Sequence, residues 1–252
     1  MKRYHRGGDI SYWSKDRIQL FNFMQSLGVP RKDDMLRVMI SVLSFSHRRP
    51  RLLEIGGGLG AFTGMVLKKF PDARLVFVDG SEDMICNARR RLRRYRADPT
   101  FIQTDINQPG WYKQISGLFD AVVSTWCIHY LADDRQKPFF REVYRLIRPA
   151  GLFLFSCSIH PPARKFLQMY NGLEIKRIQQ SFKKQGMDIS VEQIKEMARK
   201  GHNRARINPA CFDTYCLLMK QAGFSASACV WKYLFNTVFA AYKGKGRQQL
   251  LS

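Results

Sequence analysis

The sequence predicts an α/β fold built around a parallel sheet. Three observations carry that expectation. Apolar runs and helical patterns alternate five times between residues 51 and 156. The connections between them are too short for any arrangement but a parallel one. A glycine cluster, "LLEIGGGLGAF" at 52–62, stands between the first apolar run and the helical pattern after it. Glycines packed this densely let backbone turn sharply and approach a ligand closely.

Residues 12–45 read as two helices separated by "GVPRKDD", with Met35, Val38, Met39 and Val42 at helical spacing in the second. "RLLEI" at 51–55 is a buried strand and 60–70 a helix. "RLVFVD" at 74–79 is the second strand. Ser81 can cap the helix that follows. Met84, Ile85, Ala88, Leu92 and Tyr95 share one face of it, and Arg89, Arg90, Arg93, Arg94 and Arg96 spread over the other. "TFIQTD" at 100–105 is the third strand and "FDAVVST" at 119–125 the fourth. Phe139, Val143, Leu146 and Ile147 mark one face of a helix that Pro149 and Gly151 terminate. "LFLFS" at 152–156 is the fifth strand. Residues 161–208 break the rhythm with basic, helical material poor in apolar positions, and read as an inserted cap. "DTYCLLMKQAGF" is a helix ending at Gly223. "ACVWKYLFNTVFAAYK" closes the fold as two strands joined by a tight turn, and "KGKGRQQLLS" is a tail expected to fray. The organisation is one domain over 1–252, with N-terminal helices in 1–48 and the cap at 161–208.

At 252 residues and 45% hydrophobic, the chain can bury a sizeable core. No apolar stretch approaches the roughly 18 residues of a membrane span. "MKRYHRGGDISYW" is basic without an apolar segment, so no secretory signal is expected. The six cysteines form no C-x-x-C pair, which predicts reduced thiols, a cytoplasmic protein and no metal site. The 42 Lys and Arg against 20 Asp and Glu give +22, a balance that attracts polyanions. The arginine-rich face at 89–96 has no interleaved aromatics for base stacking. RNA binding, where it occurs, is therefore expected to be nonspecific and steeply salt-dependent.

Ligands of open α/β sheets bind beyond the carboxyl ends of the strands. The glycine loop fits two spacings. Gly56, Gly58 and Ala61 match the dinucleotide pattern G-x-G-x-x-G/A. Glu54, Gly56, Gly58 and Gly60 match E-x-G-x-G-x-G, which many S-adenosylmethionine binders carry. Asp79 ends the second strand, where a carboxylate can accept both hydroxyls of a ribose under either reading. Asp105 ends the third, where a carboxylate can accept from an adenine amino group while Ile106 and Met84 sandwich the ring. Dinucleotide enzymes do not usually need that acid. The unit helix–"RPAG"–strand is a second discriminator.

Taken together, "LLEIGGGLGAF", "VFVDGSEDM", "FIQTDI", "FDAVVSTWCIHYL" and "REVYRLIRPAGLFLF" resemble, in order and interval, the class I S-adenosylmethionine-dependent methyltransferases. The C-terminal "LMKQAGFSASACVWKYLFNTVFAAYKG" resembles the last helix and hairpin of a bacterial branch that includes relatives of the carboxy-S-adenosylmethionine synthases. The resemblance implies a Rossmann-like, doubly wound, seven-stranded sheet with its last strand antiparallel, plus the helical cap. It implies S-adenosyl-L-methionine as cofactor. Glu54, Gly56, Gly58 and Gly60 would hold its methionine end, Asp79 the ribose and Asp105 the adenine. Gly80, Met84, Ile106 and Ser124 complete the pocket. Gly80 stands where a bulkier apolar residue often packs on the adenine, and Ala150 replaces a glycine of R-P-G-G.

A sulfonium is already a good leaving group, so the implied enzyme mainly aligns its acceptor and excludes water. A base is needed only where the acceptor has a proton to lose. His129, just beyond the fourth strand, is the first candidate and His160 the second; Tyr12, Trp13 and His160 would line the acceptor pocket. The expected acceptor is a small molecule beneath the cap, whose Lys and Arg favour an acidic one. An RNA methyltransferase is the alternative that the charge motivates. Against it, "STWC" replaces the N/D-P-P-Y/F tetrad of amino-methylating nucleic-acid enzymes. A cofactor-binding partner protein without activity is a third reading. A carboxylated cofactor would require Arg204 or Arg206 to reach its extra carboxylate.

Overall fold

The computed structural model describes residues 31–205 and 207–245. In chain order these form α1 (Lys32–Val42), β1 (Arg51–Ile55), α2 (Ala61–Lys69), β2 (Arg74–Asp79), α3 (Glu82–Leu92), β3 (Thr100–Gln103) and β4 (Phe119–Thr125). A 3-10 turn (Ile128–Tyr130), α4 (Asp133–Leu146), β5 (Ile147–Ser158), α5 (Arg164–Lys183), α6 (Val191–Ala205), α7 (Phe212–Ala222), β6 (Ala226–Tyr233) and β7 (Asn236–Tyr242) follow. The strands make one seven-stranded sheet in the order β3-β2-β1-β4-β5-β7-β6. β1 to β5 run parallel and β7 runs antiparallel between β5 and β6. The fold is thus the doubly wound sheet with an antiparallel last strand.

Helices cover both faces, so the central strands are apolar on both sides. On one face α1, α2 and α3 bury Met35, Met39, Phe62, Val66 and Leu92 against Leu52, Phe77 and Val123. On the other, α4 and α7 bury Phe139, Phe140, Tyr215 and Met219 against Val122, Phe153 and Phe155. Burying each such side chain contributes about 1.5–3 kcal/mol. The arginine-bearing helix α3 buries Met84, Ile85, Ala88 and Leu92 as expected, but it ends at Leu92 with Arg93 as its C-cap, so Tyr95, Arg94 and Arg96 lie beyond it rather than on its faces. The Ser81 hydroxyl caps it by accepting from the Met84 N–H at 3.3 Å.

Several expectations need correction. Ile147 belongs to β5, not to the preceding helix, which ends at Leu146. It pairs with Phe119, and the register then shifts before Leu152 meets Ala121. Pro149–Gly151 therefore form a bulge inside β5 rather than a helix stop. Ala150 holds φ 62 there, a left-handed conformation that suits glycine. The third strand stops at Gln103, because Asp105 starts a side-chain-bonded turn. In α1 the buried positions are Met35, Leu36 and Met39, while Val38 and Val42 are half-buried. The helix expected within 12–28 and most of the C-terminal tail lie outside the described residues. No helix among the described residues is long and apolar enough to cross a membrane.

Candidate functional site

The glycine loop is shaped by backbone angles. Gly56, Gly58 and Gly60 take φ 66, 55 and 70, which only glycine adopts without strain. At Gly56 a side chain would also collide with Cys127, and at Gly57 with the Phe77 ring. A Cβ on Gly58 would meet nothing within 4 Å. Its requirement is conformational, and its outer side is open. The Gly56 and Gly57 N–H groups both donate to the Val78 carbonyl, at 2.8 and 3.2 Å, which ties the loop to the end of β2.

Three carboxylates gather at the neighbouring strand ends. Asp79 Oδ2 accepts from the Gly58 N–H at 2.8 Å and Oδ1 from the Ser81 N–H at 2.9 Å. A carboxylate offers about four acceptor sites, so it keeps capacity for hydroxyl donors. Desolvation pushes its pKa up, and those backbone bonds oppose the rise. Glu54 is fully buried. Its Oε2 accepts from the Thr63 hydroxyl, and its Oε1 is buried with no hydrogen-bond partner. Burial raises its carboxyl to about 8, against the Thr63 bond and with help from the Asp79 charge. Asp105 Oδ1 accepts from the Asn107 N–H at 2.9 Å, the turn that ends the third strand.

The loop after β3 is pinned from two sides. The Asn107 amide donates to the Tyr130 carbonyl at 3.3 Å and accepts from the Ala132 N–H at 2.8 Å. Arg135 donates to the Ile106 carbonyl at 3.3 Å and pairs with Glu142 at 2.7 Å; Glu142 also accepts from the Trp111 indole at 2.7 Å. This buried network fixes Ile106, which is itself buried, as is Met84. The Gly80 carbonyl accepts from Gln103 at 3.3 Å. Ser124 is completely buried and donates to the Ile55 carbonyl at 2.9 Å, clamping β4 to β1 beneath the glycine loop.

Sequence reasoning passed over Thr63 and Cys127. Burial first, and then the charges of Asp79 and Asp105, raise the Cys127 thiol. Cys127 therefore lies where the ends of β1, β2, β3 and β4 converge. Its place directly after the fourth strand was the one available signal. Thr63, in the first turn of α2, carried no signal that it would meet Glu54.

The other half of the carboxyl edge carries the cap. His129 is 3% exposed in the 3-10 turn, its Nδ1 accepting from the Ser158 N–H at 3.4 Å. Its carbonyl accepts from the Asn208 N–H at 2.7 Å, at the cap's end. His160 is exposed, with Nδ1 2.8 Å from the Pro161 carbonyl. Tyr12 and Trp13 lie outside the described residues, as do the side chains of Arg204 and Arg206. β7 begins opposite Ser158, so the turn between β6 and β7 lies at this same edge. Tyr170 of α5 packs edge-on against Phe235 of that turn at 5.3 Å and accepts from Lys232 at 3.1 Å. Among the described side chains Phe182 of α5 and Ile194 of α6 are buried, while Phe166, Met169 and Leu173 on α5 are exposed. No group of His, Cys, Asp and Glu among the described residues could hold a metal ion.

Residues 52–151 match the family described as "Methyltransferase domain". A carboxy-S-adenosyl-L-methionine synthase from Nautilia profundicola is 24% identical over 225 residues, covering 89% of this chain and 91% of its own. A malonyl-[acyl-carrier protein] O-methyltransferase from Paenibacillus sp. is 32% identical over 109 residues; the match covers 42% of this chain and 38% of that enzyme. An O-methyltransferase family protein from Burkholderia thailandensis superposes with a TM-score of 0.67 at 15% identity, covering 98% of this chain and 66% of its own. At that identity the superposition speaks for the fold alone.

Proposed function

Starting from a chain that belongs to the class I S-adenosylmethionine-dependent methyltransferases, we propose that it methylates a small molecule held between the carboxyl edge of the sheet and the α5–α6 cap. Bound S-adenosylmethionine supplies an electrophilic methyl on a sulfonium. The residues present fit it. The open side of Gly58 offers backbone a close approach to the ligand. The unpartnered, buried Glu54 Oε1 can accept from an ammonium, which would also restore the charge that burial suppresses. Asp79 keeps acceptor capacity for ribose hydroxyls, and Asp105 for an adenine amino group between Met84 and Ile106.

The acceptor is aligned from the cap side. His129 joins the two halves: Tyr130 and Asn107 connect it to Asp105, and Asn208 connects it to the cap. It acts as base where the acceptor carries a proton to lose, through Nδ1 once the bond from the Ser158 N–H is released, with His160 at the rim. The observation that carries this reading is that one sheet edge bears both the acid-lined glycine loop and the anchored cap. The test is transfer of radiolabel from S-adenosyl[methyl-³H]methionine into fractionated cell extract. Label in the small-molecule pool is expected. Label confined to RNA would overturn the acceptor class and leave the cofactor assignment standing.

A further inference from the structure

The strongest unassigned feature lies at the opposite edge of the sheet. α3 starts beside the glycine loop, packs Ala88 and Leu92 over Gly60, and in its last turns brings Arg89 to Phe101 of β3, which opens at Thr100 opposite Val76. A cleft of about 270 Å³ is cut there between the helix end and the strand, lined by Arg89, Arg93, Tyr95 and Phe101 among others. The Arg89 guanidinium sits 4.4 Å from the centre of the Phe101 ring and Arg94 5.3 Å from that of Tyr95. Both rings are partly exposed, and Arg89, Arg90, Arg93 and Arg94 are exposed with no ion-pair partner among the described residues. Asp98 is the one acid on the cleft wall.

We propose that this cleft binds a single-stranded stretch of RNA, its phosphates on the arginines and a base against the Phe101–Tyr95 wall. Basic residues in a last helical turn complement the helix dipole, which accounts for part of the charge. It does not account for two rings and a cleft beneath the guanidinium groups. Arginine forks match phosphate, and aromatic rings stack bases. Protein modules that recognise RNA mainly take unstacked bases of single strands on aromatic and guanidinium planes. The cleft opens at the start of β3, its wall residues Leu92 and Tyr95 backing onto Gly60 and Gly64, and Phe101 in register with Phe77 and Glu54, so it tethers RNA beside the α2 end of the glycine loop.

The probe is a fluorescein-labelled 12-nucleotide single-stranded RNA, read by anisotropy at 150 mM salt. The expected result is saturable binding that Arg89→Ala/Arg93→Ala weakens at least tenfold, with the salt slope reduced by about 1.4 for the two lost charges. Arg89→Lys/Arg93→Lys keeps the charge and should still lose threefold or more. Phe101→Leu should lose affinity without changing the slope. Arg164→Ala/Lys165→Ala, which removes equal charge from the cap, should change binding less than twofold. Unchanged affinity for S-adenosylhomocysteine checks that each variant is folded. The proposal is overturned if the cap variant loses as much as the cleft variant, or if duplex RNA or a polyglutamate peptide binds as tightly. Failure of the wild type to bind at 150 mM salt overturns it too.

Discussion

The two edges of the sheet carry opposite chemistry. At the carboxyl edge stand Glu54, Asp79 and Asp105, held by backbone N–H groups and a buried hydroxyl. At the amino edge the end of α3 and the start of β2 expose Arg74, Arg89, Arg90 and Arg93, and Asp72 is shared between Arg48 and Arg96. The first edge suits a ligand that carries a sulfonium and an ammonium. The second repels such a ligand and attracts phosphate. The net charge of +22 therefore sits away from the three acids themselves, shared between the end of α3 and the cap. Charge counts and site chemistry are separate readings of one sequence.

The largest expected effect breaks the carboxyl edge by backbone alone. Gly56→Ala forces a side chain into φ 66 and against Cys127. Left-handed strain and overpacking together should cost roughly 2–5 kcal/mol of stability and abolish cofactor binding. Urea denaturation and calorimetry check both.

Glu54 gives the next effect, through pH. The folded protein keeps its carboxyl protonated up to about pH 8, whereas the unfolded chain releases the proton near 4.5. Between those values the folded state binds more protons, so stability without cofactor falls as pH rises through the window. Glu54→Gln should flatten that fall and leave the variant more stable than wild type above pH 8, by on the order of a few kcal/mol. It should also weaken cofactor binding. Denaturation curves at pH 5 and pH 8.5 read the first effect, and a steeper fall in the variant would contradict the burial of this carboxylate.

The contrast was half legible in the sequence. The glycine loop could be read because positive φ at Gly56, Gly58 and Gly60 dictates residue type, and the place of Asp79 because the apolar run of β2 ends on it. Ile147 was misread because the apolar period of α4 runs on, without a break, into β5. The end of β3 was misread because Asp105 bonds the Asn107 N–H and leaves the ladder. Of the cleft's aromatic wall, Tyr95 was misplaced because α3 ends at Leu92, and Phe101 was hidden for a different reason. Phe101 lies twelve residues beyond Arg89 and joins it only when β3 pairs with β2 beside α3. Cys127 shares that difficulty, since its neighbours Asp79 and Asp105 come from other strands.

Smaller effects sharpen the division between cofactor loop and cap. Tyr170→Ala removes the ring contact with Phe235 and the bond from Lys232. It should cost about 0.5–1.5 kcal/mol, speed hydrogen exchange in α5 and leave cofactor affinity unchanged. Ala150→Gly relieves the left-handed strain in the β5 bulge at the expense of unfolded-state entropy. The net gain should be under about 1 kcal/mol, visible as a small rise in Tm.

The most direct measurement is calorimetry of S-adenosylhomocysteine binding to wild type, Asp79→Ala and Arg89→Ala/Arg93→Ala. Asp79→Ala should weaken binding by roughly 1.5–3 kcal/mol, the range of a hydrogen bond to a charged group, and the arginine pair should leave it unchanged. Equal affinity in wild type and Asp79→Ala, or a loss confined to the arginine variant, would contradict the placement of the cofactor at the acid-lined carboxyl edge.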